Sequence, residues 1–213
     1  MTTFSSLDTL IHSKTLLKHP FYVRWSKGEL TLDELRTYAR EYYHLVRHVP
    51  GIVARVAERV QDAQMRANVA QNIAEETEHI GLWERFAQSL DIAITELRAY
   101  EPSATVKAAV ADLEELAGSS LEEGIACMYA LEVELPQIAA TKKQGLTDFY
   151  DLTSQDAHCY FDEHLGEEKH LEVWRAFTLS LSKAKLSAER SCAAQHRVLD
   201  AVCEQSGIAM AAC

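Results

Sequence analysis

Six residues in this chain have types and spacing suited to metal chemistry: Glu76, His79, Glu132, His164, Glu167 and His170. Three carboxylates and three imidazoles make a ligand set for two adjacent ions of the iron or manganese kind. Carboxylates suit hard ions, and imidazole adds affinity for first-row metals. Positions three apart on a helix share a face, so Glu76 with His79, and Glu167 with His170, can each grip an ion. His164 precedes Glu167 by three more residues, and Glu132 is placed to bridge from a facing helix. Glu132 lies in the apolar run ACMYALEVELP, and a carboxylate buried there needs a partner. A metal is one such partner; an Arg or Lys is the plainer one.

Chance also produces such pairs. Three Glu-x-x-His pairs occur, at Glu41/His44, Glu76/His79 and Glu167/His170, and any one alone reads as a solvated, salt-linked helix face. Glu41, Glu76 with His79, Glu132, and Glu167 with His170 also reproduce the ferritin-like order, with 35 residues from each lone Glu to the next pair. The two constellations share five ligands and differ in Glu41 versus His164. Periodicity leaves both open.

The elements that must position these residues are helical. Eight glycines and four prolines punctuate the chain, and alternating β-branched runs are nearly absent. The pattern predicts a helix over Ser5–Lys18 stopped by Pro20, then a linker, Phe21–Leu30. Thr31 with Glu34 forms a capping-box signature opening a helix to about Val60, kinked near Pro50. Further helices are expected over Ala63–Leu90, Ile94–Tyr100 and Ala104–Ala117, the last opened by Ser103. Three more are expected over Ser120–Lys143, distorted at Pro136, over Ser154–Leu181, and over Ser187–Gln205. The expectation is one all-α bundle of about seven helices.

With 213 residues, 47% of them hydrophobic and 25% charged, the chain can bury an ample core as a single domain over residues 1–213. A net charge of −11 disfavours nucleic acid or an anionic membrane as the main partner. No apolar run approaches ~18 residues, and MTTFSSLDTLIHSK lacks a basic n-region followed by an apolar stretch, so no signal peptide is expected. Cys127, Cys159, Cys192, Cys203 and Cys213 show neither a disulfide framework nor a zinc clip, so a reducing cytoplasm is the expected compartment.

The stretches PFYVRWSKGELT, EYYHLV, HIGLW, YALEVELP and YFDEHLGEEKH together resemble one family across about Ser5–Ser182. It is the Chlamydia protein associating with death domains and its bacterial relatives, within the haem-oxygenase-like di-metal oxidases. The resemblance implies a haem-oxygenase-like bundle whose ligands are Glu76, His79, Glu132, His164, Glu167 and His170, with iron alone or manganese and iron bound. Two departures stand out. The chlamydial form separates its first Glu and His by about one more turn, and its last motif is HxxxDxxH where this chain has HxxExxH. Glu168 would restore the first interval of that motif but not the second, so Glu167 is preferred.

The family supplies para-aminobenzoate for folate biosynthesis by oxidising its own side chains with dioxygen and an external reductant. The resemblance places the ring-donating tyrosine at Tyr22, the nitrogen-donating lysine at Lys142 (with Lys143 beside it) and a relay tyrosine at Tyr38. It also implies a homodimer. The plainer readings are a loop-anchoring aromatic for Tyr22, a lysine favourably set against a helix C-terminus for Lys142, and core packing for Tyr38.

Other residues invite weighing. His44 and His48 share a face and could line the same cavity. Cys127 stands where thiaminase-type relatives carry a nucleophile, though a lone Cys on an apolar helix is usually inert. Trp83 and Trp174 each follow a candidate ligand histidine by four and read as dry walls of the site. His158 is a possible outer partner. The rival functions are a metal-free enzyme of the pyrroloquinoline-quinone synthase or thiaminase kind, a ferritin-like di-iron protein, and an interaction protein.

Overall fold

Thr31 builds the capping box its sequence announces: its hydroxyl accepts from the Glu34 N–H, and the Glu34 carboxylate accepts from the Thr31 N–H. Ser103, Ser120 and Ser154 cap later helices in the same way, each accepting a backbone N–H three residues on. The structure, a computed structural model, describes residues 2–166 and 168–209, and of Glu168 only the backbone.

Among the described residues the helices are α1 (Thr3–Ser13), α2 (Pro20–Trp25), α3 (Leu32–Ala57), α4 (Ala63–Ser89), α5 (Ile94–Ala99) and α6 (Ala104–Ser119). They are followed by α7 (Leu121–Glu132), α8 (Leu135–Tyr150), α9 (Gln155–Glu163), α10 (Glu168–Arg175) and α11 (Leu181–Ser206). Short 3-10 turns occupy Leu16–Lys18 and His164–Gly166. The all-α expectation holds, with more and shorter helices than the pattern suggests.

Three differences bear on the site. The expected linker after Pro20 is a helix: Pro20 sits at N1, where its missing N–H costs nothing, and the His19 ring accepts from the Phe21 N–H. Phe21, Tyr22 and Trp25 are thereby buried on a fixed element. The expected Ser120–Lys143 helix ends at Glu132 and restarts at Leu135, because Pro136 is accommodated in the first turn of α8. The expected Ser154–Leu181 helix breaks at His164, so the spacing from His164 to His170 is not that of one continuous helix. Helix α3 runs unbroken through Pro50.

Helix α3 packs against α4 and α6, and α11 packs across α6, α7 and α3. One core is largely aliphatic, with Val53, Val56, Leu113, Ile125, Met128 and Val198. The other is aromatic, with Phe21, Tyr22, Trp25, Tyr38, Trp83 and Phe86. No described helix is long and apolar enough to cross a membrane.

Gly145 of α8 lets that helix lie directly on α2, since a Cβ there would come within 2.6 Å of the Trp25 indole. Trp25 donates its Nε1–H to the Lys142 carbonyl at 3.1 Å, tying the two helices together. Gly145→Ala is therefore expected to destabilise the protein by about 1–3 kcal/mol through overpacking, read as a lower urea midpoint.

Candidate metal centre

Five of the six expected ligands come together from four elements. Helix α4 supplies Glu76 and His79, α7 supplies Glu132 at its last residue, the 3-10 turn supplies His164, and α10 supplies His170; all are buried. Ligand atoms of Glu76, His79 and His164 lie within 4.8 Å of one another, and so do those of Glu76, Glu132 and His170. Glu76 is common to both triads, so the shared carboxylate is the one on α4. Among the described residues Glu132 is found in one of the two triads. Glu167 lies outside the described residues, as does the side chain of Glu168.

The rings are oriented by their outer partners. His164 holds its Nδ1 2.6 Å from the Tyr160 carbonyl, which leaves Nε2 on the inner side. The Nδ1 of His79 lies 3.2 Å from Glu76 Oε2. The indole of Trp174 donates to Glu132 Oε2 at 2.6 Å, so this residue aims the Glu132 carboxylate as well as walling the site. Burial alone would raise the Glu76 carboxyl, but the His79 contact and the neighbouring charges of His164 and His170 outweigh it and hold the group below its ordinary range. Two carboxylates and three imidazoles, buried and oriented by other groups, fit a pair of iron- or manganese-type ions.

Glu41 is elsewhere. It is buried, but it accepts from the Tyr100 hydroxyl and from both the N–H and hydroxyl of Ser103, bracing the start of α6. The ferritin-like constellation is therefore not assembled. His44 and His48 pair with each other, ring centroids 4.3 Å apart, on a partly exposed turn of α3. His158 holds the Leu152 carbonyl.

A second cluster lies beside the first. Lys142, only 2% exposed, projects from α8 into an aromatic cage, with its Nζ 5.1 Å from the ring centroids of Tyr22, Tyr38 and Tyr42 and 5.3 Å from Phe161. It donates to the Tyr38 hydroxyl at 2.6 Å. Burial drives its pKa down to about 7, so the amine is substantially neutral near physiological pH. Lys143 points outward and pairs with Asp162. The Tyr22 and Tyr38 phenols are both pushed well above their ordinary range, chiefly by burial. The Tyr22 hydroxyl has no hydrogen-bond partner of good geometry among the described residues.

Tyr42 joins the two clusters. Its ring lies 5.1 Å from Tyr38 and stacks on Trp83 at 5.0 Å, and it borders a cavity of about 20 Å³ with Glu76, Glu132, His164 and Tyr160. That is room for about one small molecule. Tyr42 escaped the sequence reading although it follows Tyr38 by four, a spacing that puts both on one helix face. A wider cavity of about 660 Å³ opens outside His79 and His170 and is walled by Glu75, Glu78, Asp162 and Glu163.

The sequence profile described as the TENA/THI-4/PQQC family matches residues 8–205. The chain belongs to that family. Within it, a relative from Chlamydia trachomatis named 4-aminobenzoate synthase is 37% identical over 169 residues, covering 77% of this chain and 73% of the relative. Among solved structures, a domain with a haem-oxygenase-like fold from Shewanella denitrificans superposes with a TM-score of 0.78 at 16% identity, covering 96% of this chain and 91% of that one. A CADD-like protein from Nostoc punctiforme gives 0.76 at 14%, covering 95% and 96%. These likenesses establish the haem-oxygenase-like fold and a family of enzymes.

In this TENA/THI-4/PQQC member the cysteine route is closed. Cys127 is fully buried, its Sγ faces the Leu113 carbonyl at 3.9 Å, and burial pushes its thiol up to about 12. A thiol so far from ionising is inert.

Proposed function

We propose that this protein is a 4-aminobenzoate synthase that takes the aromatic ring from Tyr22 and the amino nitrogen from Lys142, beside a two-ion centre of iron or of manganese and iron. One observation carries the reading: a buried lysine, its pKa lowered to about 7, is held 5.1 Å from the Tyr22 ring. A plain structural lysine would be expected to reach solvent or pair with a carboxylate, and Lys142 instead rests among phenols. The names of the chlamydial relatives support the product.

Glu76, His79, Glu132, His164 and His170 would hold the ions, with Glu167 as the sixth donor. When bound, the ions supply the redox chemistry that puts dioxygen to use, with an external reductant. Everything else is the work of the chain. The cage keeps water away from the reacting side chains, and Tyr38 holds the Lys142 amine by its hydroxyl. Burial leaves a large share of the amine uncharged near neutral pH, with a lone pair available for bonding to carbon. It also keeps the Tyr22 and Tyr38 phenols protonated, so any oxidation of them must release a proton with the electron. Tyr38 and Tyr42 bridge the space between the centre and Tyr22. The product would feed folate synthesis in the cytoplasm, and a homodimer is the assembly proposed.

Wild-type protein supplied with iron or manganese, reductant and dioxygen is expected to release 4-aminobenzoate, and Tyr22→Phe to release none. Mass spectrometry of both the product and the spent chain decides it. Undiminished product from Tyr22→Phe would overturn the self-derived source.

A further inference from the structure

Consecutive acidic residues on α4 bracket one imidazole. Glu76 points inward, with Oε1 3.7 Å from Nδ1 of His170, while Glu75 lies on the rim, with Oε2 2.6 Å from Nε2 of the same ring. Residues next to each other on a helix diverge by about 100° around the axis, so adjacent carboxylates can reach opposite edges of a side chain arriving from α10. An ionised carboxylate only accepts hydrogen bonds. The contact at 2.6 Å therefore requires Nε2 of His170 to carry the hydrogen, which turns the other nitrogen, Nδ1, toward the Glu76–Glu132 side.

The opposite arrangement holds at His164. There the Tyr160 carbonyl, also an acceptor only, takes the Nδ1 hydrogen at 2.6 Å and leaves Nε2 inward. Each half of the centre thus has a histidine whose ligating nitrogen is chosen by an outer acceptor. In one half the acceptor is a neutral backbone carbonyl, and in the other it is a charged side chain that can be removed by mutation.

We infer that Glu75 is a positioning residue: it fixes the tautomer and ring orientation of His170 so that Nδ1 is the nitrogen offered to a metal ion. The inference rests on the two-ion reading above. Glu75 also lines both the cavity of about 660 Å³ and a second surface cavity of about 160 Å³ that reaches Asn72 and His170. The Glu75–His170 pair therefore stands between two cavities that open to solvent. Carboxylate partners of ligating histidines tune affinity by about 10–100-fold, and an effect of that size is expected in this half of the centre alone.

The test titrates metal-free wild type, Glu75→Ala and Glu75→Gln with manganese(II) chloride, reading free ion by electron paramagnetic resonance. Glu75→Ala is expected to weaken one of two binding events by about 10–100-fold and leave the other unchanged. Glu75→Gln keeps an acceptor oxygen and is expected to fall between Ala and wild type. Glu132→Ala serves as the control that damages the same half directly. Circular dichroism checks that each variant folds, and if Glu75→Ala does not, the Gln variant carries the comparison.

Two wild-type-like events in both Glu75 variants would overturn the role of Glu75 and leave the proposed function standing. A Gln variant as weak as Ala would also overturn it, because charge rather than ring orientation would then be responsible. Wild type that takes up no ion would sink the two-ion reading itself.

Discussion

Glu76→Ala is expected to strip both ions from the protein, where Glu132→Ala strips one. The difference follows from geometry: Glu76 contributes to both triads of converging ligand atoms, and Glu132 to one. Removing Glu76 leaves two histidines on one side and Glu132 with His170 on the other among the described ligands. Such two-donor remnants hold first-row ions weakly when the remaining positions are filled by water. Elemental analysis of protein from metal-supplemented cells should fall from about two ions per chain, the count of a bundle di-metal site, to near zero for Glu76→Ala. Equal losses in the two variants would show that the halves load only together.

Lys142→Met should abolish product while making the protein more stable, the reverse of most core substitutions. The amine is buried in an aromatic cage and its pKa falls from 10.5 to about 7 because the charged form is poorly solvated there. Between those two values the unfolded chain binds a proton that the folded chain has released, so raising pH favours the folded state. Below about pH 7 the full cost of this buried amine is present; above 10.5 it is gone. Methionine has similar length and no charge, and its loss of the bond to the Tyr38 hydroxyl offsets part of the gain. A net stabilisation of about 1–2 kcal/mol at pH 7 is expected, shrinking toward pH 10, measured by urea denaturation at both values. In the wild type, product formation should rise through about pH 7 as the amine loses its proton. A rate flat between pH 6 and 8 would mean that the amine is not what titrates.

Much of this is legible locally. Thr31 with Glu34, and Ser103 three residues before Val106, announce helix starts through side chains that satisfy nearby N–H groups. Pro20 was misleading because proline both stops and starts helices, and the deciding factor is whether the residue before it can cap. His19 can, through a ring nitrogen seldom used for that purpose. Pro136 and the turn at His164 broke helices that the apolar pattern joined, since burial continues across both breaks and the pattern reports burial rather than continuity.

The ligand set illustrates the same limit. Glu76 and His79 follow from spacing on one helix, but which carboxylate is shared depends on how α7 and α10 meet α4. Glu41 and Glu132 look alike in sequence, and only the distant Ser103 and Tyr100, 62 and 59 residues away, take Glu41 out of contention. Glu75 carries no signal beyond standing next to Glu76. Lys142 and Lys143 likewise differ only in which side of α8 they face, and the surroundings make one a shielded amine and the other a surface ion pair with Asp162.

Glu132 is the last residue of α7 and His164 the residue that closes α9, so two helices finish at the point where the ligands converge. The carboxyl end of a helix carries about half a negative charge. Glu76 is held ionised there by its histidine neighbours, and the two helix ends add to the attraction for a cation. The ligands come from four separate elements, so only the folded chain presents them together to a divalent cation. Binding and folding are therefore drawn on one free-energy account: at a hundred times its dissociation constant an ion returns about 2.7 kcal/mol to the folded state. Scarcity of metal would then lower the lifetime of the chain as well as idle its chemistry, and cells short of the ion would be left with less of the protein.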